Sequence, residues 1–178
     1  MQGLSDKTKN MKVVISPEEI QERVATLGHE ITERYKGEPV VVVCVLKGGF
    51  LFFADLVRHI DLDLELEFVR LASYGRGTES GELVFTKDME ISIKDRNVLI
   101  VEDIVDTGQS MDFLMRTLEE RKPRSLTIAA LVDKYERREV DVKVDFPGFH
   151  LDKGYIVGYG MDFAERYREL DGIYELVE

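Results

Sequence analysis

Apolar positions along the chain change their period several times, and each change marks an element. In "SPEEIQERVATLGHEITERYKG", Ile20, Val24, Leu27 and Ile31 recur at three- and four-residue steps, the repeat of an amphipathic helix. Ser16 stands where an N-cap belongs, Pro17 at the first helical position and Glu19 at the capping-box position, so the helix is expected to begin at residue 17. His29 falls off the apolar stripe and reads as a solvated surface residue. In "PVVVVCVL", residues 39–46, there is no alternation and β-branched residues dominate, which predicts a strand covered on both faces, as in a parallel sheet. "KGGFLFFADLVRHI" opens on two glycines and continues as a helix with Phe50, Phe53, Ala54 and Val57 on one side. A strand, a glycine turn and a helix in succession make a junction that suits phosphate. "LDLELEFVRLASY" alternates as a strand with one exposed face, and the polar, glycine-rich "GRGTESGE" after it reads as a mobile loop within one domain.

The pattern then repeats. "NVLIVEDIV" is a strand, "DTGQ" a turn, and "SMDFLMRTLEERK" a helix with Met111, Leu114, Met115 and Leu118 at helical spacing. Pro123 stops that helix and "RSLTIAALVDK" supplies another buried strand. The tail holds two strand-like pieces, "VKVDF" and "YIVGYG", and the polar turn "MDFAERYREL". Strands alternating with helices predict an α/β fold with a largely parallel central sheet.

Composition narrows this picture. At 178 residues, 44% apolar and 33% charged, the chain reads as one soluble globular domain over 1–178. Thirty-five acidic against 24 basic residues give a net charge of −11 with no block of Lys and Arg, which counts against nucleic acid as a partner. Cys44, the single cysteine, lies in an apolar run; it reads as a small buried thiol in a protein of the reducing cytoplasm. "MQGLSDKTKNMKVV" lacks the apolar core of a signal peptide and is expected to be a disordered or loosely docked leader, residues 1–10 above all. No apolar stretch approaches the roughly 20 residues of a membrane span, so no membrane partner is expected.

In open α/β sheets ligands bind beyond the carboxyl ends of strands. That rule singles out Lys47-Gly48-Gly49, Ser73-Tyr74, Glu102-Asp103 with Asp106 to Ser110, and Asp133-Lys134. In "DTGQS" the backbone N–H groups, the Thr107 and Ser110 hydroxyls and a helix dipole can converge on one anion; the other reading is an ordinary strand-to-helix turn with Ser110 as cap. The stretch has no GxxxxGK[ST], so it is not a Walker A loop. Glu102 and Asp103 are adjacent acids in an apolar strand, where burial and mutual repulsion cost free energy unless partners meet them. A strand sends neighbours to opposite faces. A sugar diol, a hydrated Mg²⁺ or both would supply partners, and a hydrogen bond from one acid to a neighbouring loop is the alternative.

The stretch "VLIVEDIVDTG" resembles the phosphoribosyl-diphosphate-binding motif of type I phosphoribosyltransferases, with apolar residues, two acids, two apolar residues, Asp and a Thr-Gly loop. "VLKGGFLFFADL", "VRLASYG", "LVDK", "VDFPGF" and "YIVGYGMDFAERYREL", in this order, extend the resemblance to the hypoxanthine/guanine branch over residues 13 to 173. The resemblance implies a mainly parallel sheet flanked by helices, a small hood from the terminal segments and a flexible loop near 74–84. It implies Mg²⁺-dependent transfer of the phosphoribosyl group from phosphoribosyl diphosphate to N9 of a 6-oxopurine, giving the nucleoside monophosphate and pyrophosphate. Asp106 would take the proton from purine N7, and Glu102 and Asp103 would favour the developing oxocarbenium charge and help hold the metal. Asp106, Thr107, Gly108, Gln109 and Ser110 would hold the 5′-phosphate, with Gln109 standing where some members have Lys. Lys134 would donate to the 6-oxygen, Tyr155 would stack on the base, and the Ile156 backbone would read its edge. Asp162 would hold a second Mg²⁺ through water, and Arg168 would sit near pyrophosphate. Lys47-Gly48 matches a loop whose peptide can be cis and whose N–H groups would meet pyrophosphate, while Ser73 and Tyr74 would open the mobile loop that excludes water. A homodimer or homotetramer is implied. The same fold also serves RNA-binding and purine-responsive regulators, which is the alternative function; the net charge counts against RNA.

Overall fold

The computed structural model describes residues 11–74 and 82–176. The elements run β1 (Met11–Ile15), α1 (Pro17–Arg34), β2 (Val40–Leu46), α2 (Phe50–Leu56) with a 3-10 turn at Val57–His59, β3 (Leu64–Tyr74) and β4 (Glu82–Lys87). They continue as β5 (Asn97–Val105), α3 (Gln109–Glu119), β6 (Ser125–Lys134), β7 (Phe146–Leu151), β8 (Ile156–Val157) and β9 (Ile173–Leu176).

The expected capping box closes α1. The Ser16 hydroxyl accepts from the Glu19 N–H and the Glu19 carboxylate accepts from the Ser16 N–H. Its Ile20, Val24, Leu27 and Ile31 are fully buried and His29 is exposed. The six-stranded sheet has the order β4-β3-β2-β5-β6-β7 and is parallel throughout except where β4 pairs antiparallel with β3.

The unbroken apolar runs follow from cover on both faces. In β2, Val40, Val42 and Cys44 pack beneath α1 and α2, while Val41, Val43 and Val45 pack on the opposite side, where α3 supplies Met111, Leu114 and Leu118. Burial, and secondarily the charges of Glu102 and Asp103, push the Cys44 thiol up to about 12, so it stays protonated and inert. Among the described residues, no helix is long and apolar enough to cross a membrane.

Several expectations need correction. Residues 11–14 belong to β1, which pairs with β9 and with it and β8 forms a small antiparallel hood; residues 1–10 lie outside the described residues. The buried side of α2 is Phe52, Phe53 and Leu56, with Phe50 and Ala54 exposed, because the helix turns its core face one position away from the expected set. In β3 the buried positions include Glu67 and Val69, while Leu66 and Phe68 stay partly exposed. Glu67 is held by the N–H groups of Phe68 and Glu90. Tyr74 closes β3 and residues 82–84 open β4, so only 75–81 of the expected mobile loop lie outside the described residues. "VKVDF" is irregular up to Asp145, and the strand begins at Phe146. Pro147 cannot donate to a ladder, and β7 tolerates it because, among the described residues, it is an edge strand bonded only to β6.

Candidate active site

β2 connects onward to one side of the sheet, through β3, and β5 to the other, through β6, so the sheet order reverses between them. Side chains at the carboxyl ends of β2, β5 and β6 therefore meet at the opening that such a reversal leaves, and the hood closes over it. Two adjoining cavities lie there. One, of about 180 Å³, is lined by Asp103, Asp106, Lys134, Tyr155, Ile156 and Asp162 together with Ile104, Arg137, Gly154 and Met161. The other, of about 130 Å³, is lined by Glu102, Asp106, Thr107, Gly108 and Ser110 with Ile104, Val105 and Met111.

Asp106 belongs to both cavities. One of its carboxylate oxygens, Oδ1, is buried without a hydrogen-bond partner among the described residues and lies 3.8 Å from Lys134 Nζ. Lys134 is 6% exposed, and its ammonium lies 3.5 Å from Glu136 Oε2. The guanidinium of Arg137 approaches the other Asp106 oxygen at 3.6 Å. An unsatisfied acceptor and a cationic donor thus stand side by side in one polar hollow.

The loop from Asp106 to Ser110 has the shape of a cradle. Gly108 has φ +86° and is the N-cap of α3; a side chain there would collide with the Val140 carbonyl. Among the described residues no side chain caps this helix, which counts against the alternative reading of Ser110 as cap: Ser110 lies within the first turn of α3, too late to cap it. An uncapped N-terminus beside the second cavity leaves donors facing that hollow. Gln109 turns outward to hydrogen-bond Glu139.

Glu102 and Asp103 line different cavities, as neighbours on a strand should. Their carboxyl groups nonetheless remain close enough to act on each other. Burial first, and then the Asp103 charge, raise Glu102 well above the usual carboxylate range. Burial also raises Asp103, against the pull of its hydrogen bonds to Glu102 and to the Ile104 N–H and the charge of Arg168. Two crowded, desolvated acids form a site that a divalent cation or a diol would relieve. Among the described residues no three Asp, Glu, His or Cys side chains converge as a metal-binding group.

Gly48 packs against Asp103, and a side chain on it would overlap that carboxylate. The non-proline cis peptide lies at Leu46–Lys47, one bond before the expected Lys47-Gly48. Lys47 pairs with Glu165 at 2.8 Å. Across the cavity, Arg168 binds Asp162 at 2.8 Å and donates to the Gly160 carbonyl at 2.7 Å, while its Nε is buried without a partner among the described residues. Asp162 also accepts from the Glu165 N–H. Tyr155 is 55% exposed, lines the first cavity and meets Phe163 at right angles with 5.6 Å between ring centroids. Ser73 and Tyr74 end β3, and their side chains lie outside the described residues. The hood is tied to α2 by the Tyr159 hydroxyl, which donates to Asp55.

The structure therefore brings Asp103, Asp106, Lys134, Tyr155, Ile156 and Asp162 around one cavity and Glu102 with the 106–110 loop around its neighbour. Lys47, Gly48 and Arg168 lie alongside through their contacts with Glu165, Asp103 and Asp162. Sequence reasoning missed Arg137, Gly154 and Met161. Arg137 sits in the charged run "KYERRE", where only its place three residues after Lys134 could have marked it.

A family model described as phosphoribosyl transferase domain matches residues 16–164. The hypoxanthine-guanine phosphoribosyltransferase of Bacillus subtilis is 45% identical over 160 residues, 89% of each chain. The hypoxanthine phosphoribosyltransferase of Haemophilus influenzae is 43% identical over 96% of this chain and 98% of its own. A crystal structure of a hypoxanthine-guanine phosphoribosyltransferase from Bacillus anthracis superposes with a TM-score of 0.89 at 42% identity, covering 93% of this chain and 98% of that one.

Proposed function

Because the chain belongs to the phosphoribosyltransferase family, in its hypoxanthine(-guanine) branch, we propose that it salvages 6-oxopurines. It transfers the phosphoribosyl group of phosphoribosyl diphosphate to N9 of hypoxanthine, and of guanine, giving IMP or GMP and pyrophosphate. The observation that carries this reading is the pairing of Asp106, one carboxylate oxygen of which lacks a hydrogen-bond partner among the described residues, and the buried ammonium of Lys134 in a hollow also lined by the exposed Tyr155.

In this mechanism N9 forms its bond to the anomeric carbon as the bond to pyrophosphate breaks, and pyrophosphate departs with the electron pair. The N7 proton passes to Asp106, which acts as general base. An ammonium has donors only, so Lys134 matches a 6-oxygen and offers an adenine amino group nothing to accept. Tyr155 stacks on the base and the Ile156 backbone reads its edge. Thr107, Gly108, Gln109 and Ser110 hold the 5′-phosphate at the start of α3 and fix the ribose for displacement. Lys47, Gly48 and Arg168 receive pyrophosphate, and Ser73 and Tyr74 contribute to substrate binding. Glu102 and Asp103 would hold Mg²⁺, with Asp162 reaching a second ion through water; when bound, the metal neutralises the diphosphate and helps it leave. The remaining acid charge favours the oxocarbenium-like ribose.

The chain works in the cytoplasm as a homodimer or homotetramer; the exposed apolar side chains Phe50, Leu66 and Phe68 support self-association. Steady-state kcat/KM for hypoxanthine, guanine, xanthine and adenine, with phosphoribosyl diphosphate and Mg²⁺, tests the assignment. Oxopurines should exceed adenine by several orders of magnitude, and a preference for adenine would overturn the role of Lys134. Asp106→Asn should lower kcat by about 10²–10⁴-fold; full turnover in that variant would remove Asp106 as the base.

A further inference from the structure

We propose that Arg138 is a positioning residue that sets the spacing between Asp106 and Lys134, and with it the fit of the purine edge. The proposal rests on the functional reading above. The parallel ladder between β5 and β6 has its last rung at Val105 and Asp133, so Asp106 and Lys134 occupy the next step, where strand pairing has ended. The Arg138 guanidinium takes over at that step. Its Nε donates to the Asp106 carbonyl at 3.0 Å, and Nη2 reaches the Val105 and Lys134 carbonyls, each at 3.0 Å. Nη1 donates to the Val142 carbonyl at 3.3 Å, and the Asp133 carboxylate pairs with the same fork. The side chain is 13% exposed and lies against the Tyr135 ring, 5.1 Å from its centroid.

One partly buried cation thus ties together the backbones of the two residues that would face the purine. Purine N7 and O6 lie on the same edge of the base, so a proton acceptor and a cationic donor read them together only at a fixed separation. A guanidinium suits this work because its planar fork offers five donors at set angles; a lysine keeps the charge but loses the fork. The adjoining phosphate loop has its own brace, since the Thr107 carbonyl accepts from the Glu139 and Val140 N–H groups at 2.9 and 3.1 Å. The guanidinium should therefore matter more to the base than to the ribose phosphate.

Arg138→Lys and Asp133→Asn, each checked for an intact fold by circular dichroism and thermal melting, provide the test. In Arg138→Lys the KM for hypoxanthine should rise about tenfold or more, while the KM for phosphoribosyl diphosphate changes by less than about threefold. Asp133→Asn, which loosens one anchor of the fork, should shift hypoxanthine KM in the same direction by a smaller factor. A merely structural role would lower the active fraction and hence kcat while leaving both KM values in place; that result, or equal rises in both, overturns the proposal. Should Arg138→Lys not fold, Asp133→Asn decides alone, and a wild-type hypoxanthine KM in it overturns the proposal. Wild-type protein that transfers nothing to hypoxanthine would instead sink the functional reading, so the two failures are distinguishable.

Discussion

At the scale of single residues, the site spends stability on chemistry. Glu102 and Asp103 hold protons more tightly in the folded chain than in the unfolded one, because burial and mutual repulsion penalise their charges. Their contribution to stability is therefore best at low pH and falls as pH rises from the ordinary carboxylate range through their raised values. Glu102→Gln should flatten that fall and raise Tm of the ligand-free protein at pH 8, by about 2–4 °C for each kcal/mol relieved, while lowering phosphoribosyl transfer. A melting series from pH 4 to 9 checks the sign, and a lower Tm at pH 8 would refute it. Gly48→Ala should also lower transfer but without the gain in stability, since its new methyl group would displace the Asp103 carboxylate; kcat should drop with little change in Tm, as kinetics and melting read side by side will show. The acids, Lys134 and Tyr155 were legible in the sequence because their side chains are costly or unusual at strand ends. Arg138 was not, since most of its partners are backbone carbonyls, which carry no residue identity.

Elements were legible where a periodic pattern and a terminus agreed. The Ser16 capping box and the stripe of α1 specified the start and the buried face of that helix, and Ser16→Ala should cost about 1 kcal/mol. Thermal melting should register this as a drop of about 2–4 °C with kcat/KM unaltered. β2, β5 and β6 were equally plain as apolar runs, although alternation between the two cores became visible only when both faces were seen covered. β3 shows what alternation leaves open: it identifies two sides and not which of them is covered, and here Glu67 is inside while Leu66 is partly outside. β7 was obscured by Pro147 and Gly148, residues that argue against a strand except at an edge, and edge position is a property of the whole sheet. Residues 11–14 read as leader because β1 is a short strand whose ladder partners lie in β9, more than 150 positions away in the chain.

For the whole molecule, the resemblance in the motifs and the sheet order point to the same opening between β2 and β5, where strand ends from distant parts of the sequence converge. Fold class and hood were therefore legible, while the joining of the two cavities through Asp106 required the tertiary arrangement. The buried thiol of Cys44 in the central strand has a practical use. It is the only thiol of the 178 residues, fully enclosed and hard to ionise, so a disulfide reagent can reach it only when the middle of the sheet parts. The chain therefore carries its own clock for opening. Labelling by an aromatic disulfide in native buffer should be slow and should accelerate with urea, and phosphoribosyl diphosphate with Mg²⁺ should slow it in proportion to site occupancy. Immediate labelling in native buffer would contradict this, whereas a measured rate would time the parting of β2 from its neighbours without any engineered probe.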